Sequence, residues 1–108
     1  MAELREGGPT AYVEASVDAA RVANISIIGE LDIASVNSVK LDIDRVLGDQ
    51  PHSVVFDLEK LSFMDSSGIA LMVQVANSAD SVEIRNCTDI VRRVIEIVGL
   101  AETFGLAP

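Results

Sequence analysis

The sequence predicts an α/β fold: a single domain with a mixed, mostly parallel four-stranded sheet in the order β-β-α-β-α-β-α, packed with helices. Two observations carry this reading. Short β-rich runs alternate with segments whose apolar residues recur at helical spacing, the pattern of parallel strands joined by crossover helices. The first two β-rich runs have only a short connection between them, so they form a hairpin and make the sheet mixed. At 108 residues, 49% of them apolar, the chain has the length of one domain and enough apolar material for a core.

The elements follow in order. Residues 1–10, "MAELREGGPT", are polar and carry Gly-Gly-Pro, which predicts a loose lead-in. "AYVEASVD" alternates and gives a strand at Tyr12–Val17. "VANISIIG" gives the second strand, with Val22, Ile25, Ile27 and Ile28, ending at Gly29. In "ASVNSVKLDIDRVLG" the period changes, and Val36, Val39, Ile43, Val46 and Leu47 share one helical face. Ala34 or Ser35 starts that helix, and Gly48 ends it in the left-handed conformation that glycine tolerates. "HSVVFDLE" predicts the third strand, His52–Leu58, entered after Pro51. A helix is expected from about Ser67 to Asn77 and a short strand near Val82–Arg85. "TDIVRRVIEIVG" is an amphipathic helix with Ile90, Val91, Val94, Ile95, Ile97 and Val98 opposite Arg92, Arg93 and Glu96. Thr88 caps it and Gly99 stops it. The tail adds one turn that packs Leu100, Phe104 and Leu106.

Composition narrows the function classes. The net charge is −9, with 17 acids against 8 bases, which argues against a nucleic-acid partner. There is no Trp and Tyr12 is the single tyrosine, so no aromatic platform is available for stacking bases. The acidic surface suits an encounter with a basic partner. Cys87 and His52 are each the only residue of their type, so neither an intrachain disulfide nor a Cys/His metal site is expected, and no cofactor is implied. Cys87 reads as a small core residue. No apolar run reaches membrane-spanning length and no signal-peptide pattern opens the chain, so a cytoplasmic location without membrane insertion is the expectation.

One stretch breaks the hydrophobic rhythm. In "LSFMDSSGIALMV", Leu61–Val73, the run Asp65-Ser66-Ser67-Gly68 interrupts apolar residues. As structure it is a helix start, with Asp65 or Ser66 capping a free N–H and Gly68 allowing close approach. A serine nucleophile fits poorly, because the frame is not G-x-S-x-G and His52 lies before the preceding strand. An aspartyl phosphate at Asp57 lacks the neighbouring acids and the late lysine that such chemistry needs. A serine modified by a partner fits better. A phosphate adds about −1.5 to −2 charge, and a helix N-terminus with free N–H groups would accept it without breaking the fold.

"GELD" at Gly29–Asp32 and "LEKLSFMDSSGIALMV" at Leu58–Val73 resemble the two signature stretches of the STAS family, the bacterial anti-sigma factor antagonists, which have relatives in transporters. The resemblance runs from about Ala11 to Leu106 and includes "VGL" at Val98–Leu100. It implies a binding switch rather than an enzyme. The partner would be an anti-sigma factor with serine kinase activity, and its capture would release a sigma factor. The kinase would phosphorylate Ser66, the serine directly after the aspartate, and a serine phosphatase would reverse this. Ser67 is similar to the family's second hydroxyl and would not be the main acceptor. Asp32 matches the acid after the second strand and would help form the partner face. The same resemblance allows another class, a stand-alone subunit of a transport complex or a sensory scaffold, and the acceptor serine favours the antagonist.

The helix after the switch extends the expected partner face. Ile69, Met72, Val73 and Ala76 share a core-facing side, while Leu71 and Val75 lie nearly opposite. Either the last helix or the tail covers Leu71 and Val75, or they form an exposed apolar strip beside Ser66. On the second reading the partner meets Asp32, Asp65, Ser66, Ser67, Gly68, Leu71 and Val75.

Overall fold

The structure, a computed structural model, describes residues 10–48 and 53–106. Five strands, β1 (Ala11–Val17), β2 (Val22–Leu31), β3 (Ser53–Asp57), β4 (Leu61–Met64) and β5 (Ser81–Arg85), alternate with three helices, α1 (Val36–Leu47), α2 (Ser66–Ser78) and α3 (Asp89–Ile97). The sheet order is β1-β2-β3-β5, with β4 also paired to β2. β1 runs antiparallel to β2, and the other pairings are parallel. The α/β class and the mixed sheet are as the sequence predicts. The lead-in expected over residues 1–10 lies, apart from Thr10, outside the described residues, as do Pro51 and His52.

The fifth strand is a correction. β4 escapes a period-2 reading because Leu61 and Met64 are buried while the two residues between them are exposed. It pairs only because β2 is ten residues long and outruns β3: residues 22–26 of β2 take β3, and Gly29–Leu31 take β4. Gly29 therefore does not end β2. It sits at φ +108° at an irregularity in the β2–β4 register, and a Cβ there would fall 2.2 Å from the Thr10 carbonyl oxygen. Only glycine permits both.

The core is built on one face of the sheet. Ala23, Ile25, Ile27 and Leu31 of β2, Val54 and Phe56 of β3, and Ile84 of β5 are buried against Val39 and Ile43 of α1 and Ile69 and Met72 of α2. Val91 and Ile95 of α3 join the same core. The Thr88 hydroxyl caps α3 and also donates to the Leu61 carbonyl, which ties that helix to β4. Past α3 the tail turns, Phe104 is fully buried, and its carbonyl accepts the Ile84 N–H on the edge of β5. Cys87 is half-buried against the core, and that burial pushes its thiol pKa up.

Leu71 and Val75 are not an exposed strip. They are 3% and 5% exposed and belong to the core. Neither α3 nor the tail is needed to cover them. α1 lies along α2, and Leu47 shares a crevice with Leu71 and Val75. The period of α2 shows two apolar stripes, and a helix apolar on both sides is a buried helix. Which neighbour buries the second stripe is a tertiary fact that the helical period does not carry.

Candidate functional site

The two signature stretches meet because β2 and β4 are adjacent and parallel. Leu31 is paired with Met64, so the chain leaves both strands side by side. Asp32 follows one and Asp65 the other. The Asp65 N–H donates to the Leu31 carbonyl at 3.2 Å and closes the junction.

Asp65 is the N-cap of α2. Its carboxylate accepts the Ser67 N–H at 2.9 Å and the Ser67 hydroxyl. The Asp65 carbonyl accepts the N–H groups of Gly68 and Ile69 at 3.1 and 3.2 Å. The Ser67 hydroxyl holds the Asp65 pKa below its ordinary value. Partial burial opposes this, and the N–H groups of Ser67, Gly68 and Ile33 reinforce it. Asp65 is therefore ionised at neutral pH. Replacing Ser67 by Ala should move that pKa back up, as read by the Asp65 carboxyl carbon in an NMR pH titration. Because the folded-state value is depressed, the stability it contributes is present above the unfolded-state value and is lost as pH falls through the folded one. The stability gap between wild type and Ser67→Ala should thus be open at neutral pH and narrow in acid. Identical Asp65 titrations in the two proteins would show that Ser67 does not set the charge.

The two serines are in different states. Ser67 is half-buried and its hydroxyl is committed to Asp65. Ser66 is the first residue of α2, is exposed, and its hydroxyl has no hydrogen-bond partner among the described residues. Of the first-turn N–H groups expected to receive a phosphate, those of Ser67, Gly68 and Ile69 are taken by Asp65, and that of Ser66 has no hydrogen-bond partner among the described residues.

Gly68, expected on the partner face, is buried in the free domain, and a Cβ there would lie 2.6 Å from Met64 Cγ and 3.0 Å from Leu31 Cδ2. It lets the start of α2 sit directly on the β2–β4 pair, and close packing accounts for the glycine.

Asp32 organises the neighbouring turn. Its carboxylate accepts the N–H groups of Ala34 and Ser35 at 3.0 and 3.1 Å and the Thr10 hydroxyl at 3.3 Å. Ser35, which the sequence marks only as a helix start, returns the bond. Its hydroxyl accepts the Asp32 N–H at 3.0 Å and donates to the Glu30 carbonyl at 2.8 Å. It is the one polar side chain in the buried set. The signal was legible in Asp32-x-x-Ser35, the three-residue spacing of reciprocal capping. Among the described residues no group of three His, Cys, Asp or Glu could hold a metal ion, and no helix is long and apolar enough to cross a membrane.

Comparison with known proteins matches this geometry. The STAS domain model aligns with residues 16–108, which include both signature stretches. The anti-sigma-F factor antagonist RsfB of Mycobacterium tuberculosis is 31% identical over 88 residues, covering 79% of this chain and 72% of RsfB. The crystal structure of an anti-sigma factor antagonist from Mycobacterium paratuberculosis superposes with a TM-score of 0.75 at 25% identity, over 91% of this chain and 86% of that one. The anti-sigma factor antagonist SpoIIAA in its unphosphorylated form gives 0.68 at 25% identity, over 90% and 89%. This chain belongs to the STAS domain family.

Proposed function

We propose that this protein is an anti-sigma factor antagonist. It binds an anti-sigma factor and so releases a sigma factor for transcription. Phosphorylation of Ser66 by the serine kinase activity of that partner ends the complex, and a serine phosphatase restores it. The observation that carries this reading is the contrast at the start of α2: an exposed, uncommitted Ser66 hydroxyl beside an ionised Asp65, with Ser67 held in reserve as a ligand of that carboxylate. The antagonists RsfB and SpoIIAA supply the partner class. The partner face on this reading is Asp32, Asp65, Ser66 and Ser67.

The switch acts on the surface rather than on the fold. Ser66 is exposed, so a phosphate there displaces no core atom. It would find the N–H groups of Ser67, Gly68 and Ile69 already engaged by Asp65, and it would stand next to a like charge. A partner closing over it would have to desolvate both. The test is pairwise binding of the purified protein to anti-sigma factors of its own cell, with and without ATP. Wild type should bind one of them and gain one phosphate. Ser66→Ala should bind and gain none, and phosphate at the wild-type level in that variant would remove Ser66 from the mechanism.

A further inference from the structure

We infer that Ile33 is the apolar anchor of the partner face, taken by the anti-sigma factor into an apolar pocket with a basic rim. This rests on the antagonist reading of Ser66. Ile33 is 76% exposed, whereas Ile25 and Ile27 of β2, Ile43 of α1 and Ile69 of α2 are buried in the core. Its position is set by the strand pair. Leu31 lies beside Met64 in parallel register, so Asp32-Ile33 leaves the sheet alongside Asp65-Ser66. The Asp65 N–H donates to the Leu31 carbonyl at 3.2 Å, which ties the strand end just before Asp32-Ile33 to the cap beside Ser66.

The turn that carries Ile33 is held by hydrogen bonds to Asp32. The N–H groups of Ala34 and Ser35 go to the Asp32 carboxylate, and that of Val36 to the Asp32 carbonyl at 2.9 Å. None of these bonds uses the Ile33 side chain, so the turn itself has no need of an apolar residue there. An exposed β-branched side chain on a locked backbone has little freedom left to lose on binding. The charge around it defines the complement. Glu30, Asp32 and Asp65 all lie within this junction, and Asp65 is held ionised, so the pocket that takes Ile33 needs basic side chains at its edge. Ile90 and Ile97 of α3 are also exposed, but they lie on a helix that is tied to the start of β4 through Thr88 and Leu61, away from the Leu31–Met64 junction.

The experiment titrates Ile33 variants into the anti-sigma factor that the wild-type protein binds, by calorimetry, with thermal unfolding of each variant alongside. Full burial of an isoleucine side chain corresponds to about ten- to a hundredfold in affinity. Ile33→Ser should weaken the complex by that factor, Ile33→Val should stay close to wild type, and Ile33→Lys should be weaker than Ile33→Ser because a basic rim repels it. Melting should move little, since Ile33 is mostly exposed and lies outside the core. Wild-type binding by Ile33→Ser would overturn the inference and leave the antagonist reading intact. A binding loss accompanied by an equal loss of stability would also overturn it. If the wild-type protein binds no anti-sigma factor, the antagonist reading itself fails and the anchor falls with it.

Discussion

Phosphorylation of Ser66 should weaken the complex with the anti-sigma factor roughly 30-fold or more, the effect of leaving a charge unpaired in an interface. The modification brings about −1.5 to −2 charge. Two features of the site prevent it from being absorbed. The N–H groups of Ser67, Gly68 and Ile69 are already bonded to Asp65, which leaves the phosphate the Ser66 N–H alone among those of the first turn. Asp65 carries its own charge at neutral pH, and the Ser67 hydroxyl keeps it ionised further into acid by holding its pKa down. The new dianion therefore stands beside a carboxylate on a surface that must be desolvated for binding. Ser66→Asp should weaken the complex less, since it adds one charge on a shorter arm, and Ser66→Ala should bind like wild type. Melting temperatures of all three should stay close together, because Ser66 is exposed and surface changes are usually within about 0.5 kcal/mol. Equal affinity for the unmodified, phosphorylated and Ser66→Asp proteins would sink the charge switch.

Local features of this chain are legible in its sequence, and the failures are all tertiary. Thr88 reads as a cap and is one, and of the two candidates Asp65 and Ser66 the first caps α2, because a cap is settled within three residues. Gly48 reads as a helix end and takes φ +61° there. Gly29 also reads as an end, yet β2 continues through it, because the reason for the glycine is the Thr10 carbonyl just before β1. Ser66 and Ser67 are alike in sequence, and only the resemblance to the STAS family separates them before the hydrogen bonds of Asp65 do so physically. Ile33 leaves no trace in a periodicity analysis, since a lone apolar residue between a strand and a helix has no period. Leu71 and Val75 leave the opposite trace, an apolar stripe whose cover is invisible. The surface apolar contact and the core contact were thus exchanged: the residue that stands out beside Ser66 is Ile33, and the stripe on α2 is interior.

That exchange makes Leu71→Ala the second large effect, and it should appear in stability rather than in binding. Leu71 is 3% exposed and lies where α2 meets α1. Truncating a buried leucine removes its transfer free energy and leaves a cavity, together about 2–5 kcal/mol. The crevice that Leu71 lines with Lys40 and Gln74 is open to solvent on one side, so α1 has room to settle inward and the loss belongs nearer the low end, about 3 kcal/mol. For a domain of this length that corresponds to a fall in melting temperature on the order of 15 °C. Circular dichroism melts and urea titrations of wild type, Leu71→Ala and Ile33→Ser measure it directly. Leu71→Ala should melt early and, well below its transition, bind the anti-sigma factor as wild type does. Ile33→Ser should melt normally and bind poorly. A Leu71→Ala protein that melts like wild type but loses the partner would return Leu71 to the interface and show that α1 does not seal that side of α2. The two variants bear on one physical question, which apolar side chain near Ser66 faces protein in the free domain and which acquires a neighbour only in the complex.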